Sequence, residues 1–223
     1  MRTAIEVFNR FERKYQLDEC TARRLQERLR EFMEPDEHNR AGDATTIGSL
    51  YYDTADSLLI RRSLARPAYK EKLRLRAYGV PGLDSRVFLE IKKKFRGRTN
   101  KRRTALKLAK AYAFLETGCK PALRPSMNPQ VLDEIEYFLR VHDVAPRLYV
   151  AYDRRAFSSR EYPGLRITFD ADSRTRRYDL GLERGDHGAL LLGPGRVLME
   201  VKTPGNVPLV LAHVLAEHRA FGS

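Results

Sequence analysis

The sequence has no long apolar run and only two cysteines, and these shortages exclude several classes of protein. A membrane-spanning helix needs about 18–20 consecutive apolar residues, and no stretch of the 223 residues approaches that length. The amino-terminal residues alternate apolar and polar side chains and lack the apolar core of a signal peptide. Cys20 and Cys119 have neither the spacing of a zinc site nor the density of a disulfide framework. The sequence therefore predicts a reduced, cytoplasmic protein without a membrane span.

The sequence also lacks the glycine-rich loops that bind nucleotide phosphates through the backbone. Neither a P-loop nor a dinucleotide-binding fingerprint is present. No grouping of His, Cys or Ser side chains indicates a nucleophilic catalyst. If a nucleotide binds, charged side chains must therefore hold its phosphates.

Positive charge is present in large excess. The chain has 42 Lys and Arg against 29 Asp and Glu, which gives a formal net charge of +13 at pH 7. Of these basic residues 31 are Arg, whose planar guanidinium binds phosphate oxygens at two points. An anionic partner is therefore expected. Composition alone leaves open a basic surface that contacts nucleic acid without sequence specificity.

The order of predicted elements is typical of an α+β protein with an antiparallel sheet. Alternating patterns predict strands at 4–15, 45–53, 67–78, 86–95, 147–157, 164–172, 174–180 and 196–202. Helical spacing and end signals predict helices at 18–34, 56–65, 104–117, 128–139 and 209–221. Residues 96–103 are predicted to form a basic loop. No repeat or change of composition marks a boundary, so residues 1–223 are predicted to form a single domain. Periodicity does not decide whether the strands form a sandwich or close into a barrel.

Charged side chains share one side of several predicted strands. Lys70, Lys72, Arg74 and Arg76 alternate with apolar residues, and the strands at 86–95, 164–172 and 196–202 repeat the pattern. A solvated face explains one such strand, but the repetition favours a common charged surface.

Three Glu-x-Lys pairs add carboxylates to this surface, and they are Glu12 with Lys14, Glu90 with Lys92, and Glu200 with Lys202. Residues i and i+2 of a strand point the same way, so each pair projects one carboxylate and one ammonium group into the same space. Carboxylates bind divalent cations and ammonium groups bind phosphate, so the combination suits a metal–polyphosphate complex. Strand parity thus adds Lys72 and Lys202 as phosphate ligands. It adds Glu12 as a second metal ligand or as a residue that orients Lys14.

Arg154 does not fit this alternation of charged and apolar sides along the strands. It shares a strand side with Leu148, Val150 and Tyr152, which would be the apolar side. The sequence therefore predicts a β-bulge near Asp153 that turns Arg154 toward the charged side.

Seven motifs in consistent order, from about residue 5 to residue 221, resemble the VTC domain. This is the catalytic domain of vacuolar-transporter-chaperone polyphosphate polymerases, in the triphosphate tunnel metalloenzyme (CYTH-like) superfamily. The motifs are Arg10-Phe-Glu-Arg-Lys14-Tyr15, Ser49-Leu-Tyr-Tyr-Asp53-Thr54, Lys72-Leu-Arg74-Leu-Arg76-Ala-Tyr78, Leu89-Glu90-Ile-Lys92, Tyr152-Asp-Arg154-Arg-Ala-Phe157, Leu165-Arg166-Ile-Thr-Phe-Asp170 and Leu198-Met-Glu200-Val-Lys202.

The resemblance implies an antiparallel β-barrel whose basic interior forms a triphosphate tunnel, with inserted and flanking helices. It implies transfer of the γ-phosphoryl group of ATP to a growing polyphosphate chain with Mn²⁺ or Mg²⁺. The phosphate-binding residues that it implies are Lys14, Arg74, Arg76, Lys92, Lys101, Arg154 and Arg166, and it implies Glu200 as the metal ligand. Lys14, Arg74, Arg76 and Glu200 are the catalytic candidates. The remaining basic segments, 96–103 and 174–177, are expected near a tunnel mouth.

Two other functions remain open at this stage. A triphosphatase or tripolyphosphatase of the same fold would use the same phosphate ligands, with water as the acceptor. A non-catalytic module would bind polyphosphate or RNA through the net charge. Nucleic acid is the less favoured partner, because the charged strand sides lack the aromatic residues that stack on bases. A membrane-bound partner subunit is left open.

Overall fold

The computed structural model describes residues 11–36, 39, 43–65, 67–96, 98–218 and 220. Its strands and helices, in chain order, are β1 (Phe11–Asp18), α1 (Glu19–Leu29), β2 (Met33–Pro35), β3 (Thr45–Asp53), α2 (Leu58–Leu64), β4 (Tyr69–Tyr78), β5 (Arg86–Phe95), β6 (Arg98–Lys107), α3 (Leu108–Thr117), α4 (Pro129–Val141), β7 (Ala145–Ser159), β8 (Arg166–Arg176), β9 (Ala189–Leu190), β10 (Arg196–Thr203) and α5 (Leu209–Glu217). The predicted α+β class, with antiparallel strands and inserted and flanking helices, is confirmed. Within the described ranges, no helix has the length and apolar character that crossing a bilayer requires.

The chain divides into two compact units made of interleaved segments. The first unit contains Ile47–Val150 and Thr175–His187, and the second contains the described parts of Asn9–Thr46, Ala151–Arg174 and Gly188–Ser223. The single-domain assignment made from the sequence stays a prediction.

The first unit is built on the antiparallel path β3-β4-β5-β6. Alternate residues of these strands are buried on one side, including Leu50, Leu75 and Leu89, each 0% exposed. Helices α3 and α4 add Phe114, Ile135 and other buried side chains. Helix α4 begins as its sequence predicts, because the Asn128 side chain accepts a hydrogen bond from the Val131 N–H and proline occupies its first turn. The opposite sides of the four strands are thereby left for charged residues.

The second unit follows the order β1-β10-β8-β7, with β2 paired to β7 and β9 paired to β8. Its apolar core joins one side of these strands to α1 and α5, with Leu25, Phe169, Met199 and Leu211 all at most 2% exposed. Asp18 caps the amino-terminal end of α1, because its carboxylate accepts hydrogen bonds from the backbone N–H and the hydroxyl of Thr21 at 2.8 Å. Here too the apolar side is covered and the charged side is not part of the core.

Three predicted elements differ from the structure. The helix predicted at 18–34 ends at Leu29, because residues 33–35 pair with β7 and bury Met33. Residues 98–103 of the predicted basic loop are the first part of β6, which pairs with β5 along its full length, and α3 begins only at Leu108. The strand predicted at 174–180 is instead an extension of β8 to Arg176. Residues 4–10 of the first predicted strand lie outside the described residues.

Candidate functional site

The side of strands β3 to β6 that faces away from α3 and α4 is here called the basic face. Most of the polar residues of these four strands lie on it. The cross-strand register places Arg74 opposite Tyr51 on β3 and Glu90 on β5, with Arg103 beyond on β6. The next row contains Lys72, Lys92 and Lys101. The structure thus brings together five predicted phosphate ligands, which are Lys72, Arg74, Arg76, Lys92 and Lys101. The basic face also contains Ser49, Tyr51, Lys70, Phe88, Glu90, Lys94, Thr99 and Arg103.

Glu90 is buried at the centre of the basic face, with its side chain 1% exposed. One carboxylate oxygen, Oε2, accepts hydrogen bonds from Arg74 at 2.7 Å, and the other, Oε1, lies 2.7 Å from Lys101 Nζ. Arg76 Nε lies 4.0 Å from Oε2. Burial opposes ionisation, but Arg74, Arg76 and Lys101 outweigh it and lower the pKa of Glu90 to about 2. Glu90 is therefore an anion at neutral pH.

Lys101, which binds Glu90, has a pKa below that of an exposed lysine. Burial lowers the pKa of Lys101 to about 8, although Glu90 opposes the shift, and the neighbouring Arg76 and Arg74 lower it further. The charge of Lys101 therefore changes just above neutral pH, where a fully exposed lysine would stay protonated.

The two arginines of the basic face are anchored at their sides by β3. Arg74 donates from Nη1 to the Tyr51 hydroxyl at 3.0 Å, and Arg76 donates from Nε to the Ser49 hydroxyl at 3.3 Å. Burial would raise the pKa of Tyr51, but Arg74 and its neighbours outweigh burial and lower it. These contacts fix both guanidinium groups against the sheet, as preorganised phosphate binding requires.

The second unit has a face of mixed charge on β1, β10, β8 and β7, here called the mixed face. The register places Lys14 opposite Glu200, and Glu200 opposite Thr168. The next row contains Glu12, Lys202 and Arg166. The structure thus brings together the six remaining predicted site residues, which are Glu12, Lys14, Arg154, Arg166, Glu200 and Lys202. Asp170 and Gln16 share the same side of the strands.

Glu200 is partly buried among cations on the mixed face. Its Oε2 lies 2.7 Å from Lys202 Nζ, and its side chain is 14% exposed. Burial would raise the pKa of Glu200, but Lys202, Lys14 and Arg154 together lower it. Glu200 is therefore available as an ionised oxygen ligand.

Two aspartates hold the arginines of the mixed face. Arg154 donates from Nε and Nη2 to the two carboxylate oxygens of Asp170 at 2.6 and 2.7 Å, and Arg166 donates to Asp36. The Arg154 guanidinium also lies over the Tyr152 ring at 4.8 Å. Burial would lower the pKa of Arg154, but Asp170 and its other neighbours raise it. Both arginines are thus held in defined orientations.

A divalent cation fits the mixed face if phosphate supplies part of its coordination. Glu12 and Glu200 occupy diagonal positions on the same side of the paired strands β1 and β10. Two residues in such diagonal positions are roughly 7–8 Å apart in an antiparallel sheet. Mg²⁺ is bound by one or two carboxylates together with substrate phosphate oxygens. In the described part of the chain, no group of three or more His, Cys, Asp or Glu residues could hold a metal ion. Glu200, with Glu12 nearby, is thus suited to a metal–phosphate complex.

Two details of the sequence-based site are corrected. Lys101 lies on strand β6 rather than in a loop. Arg154 shares its parity with side chains that are only half-buried, because β7 buries Tyr149 and Ala151 rather than Leu148 and Val150, so the parity conflict that prompted the predicted bulge does not arise.

Two cations of the basic segment 174–177 are bound within the protein, and the expectation that this segment lies near a tunnel mouth stays a prediction. Arg176 is 2% exposed and donates to the carbonyl oxygens of Asp179, Gly181 and His187. Arg174 donates to Asp153.

Sequence reasoning did not place Glu90, Tyr51, Asp36 and Asp170 among the site residues. Glu90 was detectable as a member of a Glu-x-Lys pair, and Asp170 by its parity with Arg166. Tyr51 belongs to a quoted motif, but its contact with Arg74 depends on the register of β3 and β4. Asp36 carries no sequence signal, because its contact with Arg166 depends on the path of the chain after β2.

The fold is shared with a solved structure of low sequence identity. A proposed adenylate cyclase from Bacillus halodurans superposes with a TM-score of 0.59 and 16% identity, and the match covers 98% of this chain and 94% of that chain. This likeness defines the fold class.

The family follows from a sequence comparison. The model of the VTC domain matches residues 9–222. The chain therefore belongs to the VTC domain family, as its motifs predicted.

Two curated relatives carry the same name. The vacuolar transporter chaperone complex subunit 4 of Trypanosoma brucei brucei (strain 927/4 GUTat10.1) is 32% identical over an alignment covering 61% of this chain and 20% of that protein. The protein of that name from Trypanosoma cruzi (strain CL Brener) is 27% identical, with the same two coverages. The chain spans about a fifth of the length of these relatives.

Proposed function

We propose that the protein is a metal-dependent polyphosphate polymerase that transfers the γ-phosphoryl group of ATP to a polyphosphate chain. The observation that carries the proposal is the basic face, where five predicted phosphate ligands lie in adjacent rows around the buried carboxylate of Glu90. Like charges on neighbouring strands repel, so a multiply charged anion would relieve their repulsion. Membership of the VTC domain family supports the same assignment.

The proposed step asks the protein for positioning and charge neutralisation. The bond from the γ-phosphorus to the β–γ bridging oxygen breaks, ADP leaves, and a terminal phosphate oxygen of the chain forms the new bond. This acceptor is already ionised at neutral pH, so no side chain has to remove a proton.

Each face has its own part in the proposal. The phosphate oxygens would be bound by Lys72, Arg74, Arg76, Lys92 and Lys101 of the basic face and by Lys14, Arg154, Arg166 and Lys202 of the mixed face. Glu200, with Glu12, would hold Mn²⁺ or Mg²⁺, which neutralises phosphate charge when bound.

Product analysis with ATP tests the proposal. Protein incubated with ATP and Mn²⁺ or Mg²⁺ should release ADP and form polyphosphate, which a gel resolves as a ladder. Release of ADP with free phosphate alone would instead identify a triphosphatase that uses the same residues. Absence of turnover with every divalent metal would overturn the proposal.

A matched pair of variants tests the metal ligand. Glu200→Gln keeps the shape but removes the charge, and should lower kcat by roughly 10²-fold or more. Glu217→Gln removes a carboxylate from α5 that is 56% exposed and should leave kcat unchanged. Equal activity of the two variants would remove Glu200 from the site.

The relatives' names describe subunits of a complex, so the proposal includes a partner subunit for this chain. Co-purification of the protein from its own cells, followed by mass spectrometry, tests that part separately.

A further inference from the structure

Glu90 stands out because it is an acid in a surface proposed to bind anions. Among the residues that β4, β5 and β6 place on the basic face it is the one carboxylate, and the cations of these strands that share the face are Lys70, Lys72, Arg74, Arg76, Arg86, Lys92, Lys94, Lys101, Arg103 and Lys107. A negative charge in a phosphate site weakens the attraction for phosphate. Its presence therefore calls for a compensating role.

The contacts of Glu90 indicate what this role is. Its two oxygens are divided between neighbouring strands, with Oε2 binding Arg74 of β4 and Oε1 lying 2.7 Å from Lys101 of β6. One side chain thus spans three strands and holds two predicted phosphate ligands at defined positions. Tyr51 holds Arg74 from its other side at 3.0 Å.

Stability alone is a weak explanation for this carboxylate. A buried ion pair is often no more stabilising than apolar residues of similar volume, because both charges must be removed from water. The same sheet face already contains Phe88, two residues along β5. An apolar residue at position 90, however, would leave Arg74 and Lys101 without the acceptor that orients them.

We propose that Glu90 is a positioning residue of the phosphate-binding face, which orients Arg74 and keeps Lys101 charged before phosphate arrives. This inference rests on the proposed function and deepens it, since it concerns how the same face binds its anion. Glu90 itself would not touch the phosphate.

The electrostatic surroundings of Lys101 support the second half of this role. Burial and the two arginines lower its pKa to about 8, and Glu90 is the attraction that limits the shift. The other charged or titratable groups on the face near Lys101 are Lys72 on β4, Lys92 on β5, Arg103 on β6 and Tyr51 on β3. The cations among these also disfavour a charged lysine. Loss of the Glu90 charge would therefore lower the pKa of Lys101 further, so that Lys101 would be deprotonated at neutral pH.

Binding of inorganic tripolyphosphate without metal, measured by calorimetry at several pH values and constant ionic strength, tests the proposal. The wild-type affinity should decline as the pH rises through about 8. In Glu90→Gln this decline should occur at lower pH, with binding about tenfold weaker than wild type near neutrality. Lys101→Met should remove this pH-dependent decline in affinity altogether. Tripolyphosphate is protonated to the same extent whichever variant is present. The ratio of each variant's affinity to the wild-type affinity therefore isolates the effect of the protein's own titrating groups.

Two further variants separate positioning from charge and from general destabilisation. Glu90→Asp keeps the charge but is one methylene shorter and cannot reach Arg74 and Lys101 together, so it should also bind more weakly. Glu134→Gln is the matched control, because Glu134 pairs with Lys93 and Arg102 on the helix-covered side of the same sheet. It should bind tripolyphosphate as the wild type does.

The outcomes are distinguishable. If wild type and Glu134→Gln bind tripolyphosphate and both Glu90 variants bind equally well with the same pH profile, the positioning role is overturned while the proposed function stands. If the wild type does not bind tripolyphosphate, the proposed function fails and the inference fails with it. If Glu90→Gln does not fold, Glu90→Asp and Lys101→Met decide, and a pH step that survives in Lys101→Met overturns the role given to Lys101.

Discussion

Arg154 and Asp170 form a two-point ion pair in which both side chains are largely buried, with exposed fractions of 14% and 10%. Arg166 is likewise bound by a carboxylate of Asp36, and Arg74 by one oxygen of Glu90. An arginine bound along one edge keeps its orientation and still has N–H groups on the other edges. Acid partners of this kind therefore prepare a site for phosphate without contacting it.

Asp170→Asn tests the importance of such a partner. The amide keeps the shape but cannot balance the Arg154 charge, so we expect the free energy of unfolding to fall by roughly 3–5 kcal/mol and tripolyphosphate binding to weaken. Urea denaturation and calorimetry measure the two effects. Asp133→Asn is the control, since Asp133 pairs with Lys120 on the surface, and its denaturation curve should match the wild type. Unchanged stability in Asp170→Asn would show that the pair does not hold Arg154.

Site residues were predictable from the sequence to different degrees at this scale. Lys72 and Lys202 follow from parity, because strand side chains alternate. The partners that orient the cations were harder to find, since Asp36 meets Arg166 across 130 positions of sequence. Such contacts depend on the tertiary path of the chain, which local patterns do not contain.

Strand β6 illustrates the limit of pattern reading at the scale of elements. Strand β5 has a clear apolar–polar alternation, and its predicted bounds, 86–95, agree with the structure. In β6 the side toward the helices carries Arg102, which donates to Glu134 and Gln130 of α4, so the apolar period is lost. At Arg102 a salt bridge to Glu134 of α4 occupies the place where an apolar contact with the helix would be expected. Only pairing with β5 makes this basic segment a strand.

Gly48 of β3 provides a test of packing between strands. A Cβ atom at this position would lie 2.7 Å from the Tyr149 hydroxyl, within the same unit. We expect Gly48→Ala to lower the free energy of unfolding by about 1–3 kcal/mol through overpacking. Gly82→Ala is the control, because the nearest atom to its Cβ would be 3.8 Å away. If thermal denaturation gives equal melting temperatures for the two variants, the close approach of Tyr149 to β3 is wrong.

The net charge of +13 gains a structural explanation at the scale of the whole molecule. Much of it lies on sheet faces rather than being spread evenly, and like charges on adjacent strands oppose folding. An anion that binds only the folded state should therefore stabilise the protein by mass action.

Melting temperatures in different salts measure this effect. At about a hundred times its Kd, tripolyphosphate should add about 2.7 kcal/mol of stability, which for a protein of this size raises Tm by roughly 5–10 °C. Sodium chloride of equal ionic strength should give a much smaller rise, since it only screens the charges. Equal rises in the two salts would mean that the basic residues form no specific site.

The interleaving of the two units has a consequence for how the chain folds. Strands β3 to β6 of the first unit follow one another in sequence and pair through local hairpin-like contacts. Strand β1 of the second unit instead pairs with β10, so Phe11 cannot pair until the chain has been made as far as Thr203. Closing so long a loop is entropically costly, and contacts of this range form slowly. During synthesis the ribosome must therefore release the segment bearing Glu200 before Lys14 acquires its neighbour, which makes the mixed face one of the last parts of the protein to form.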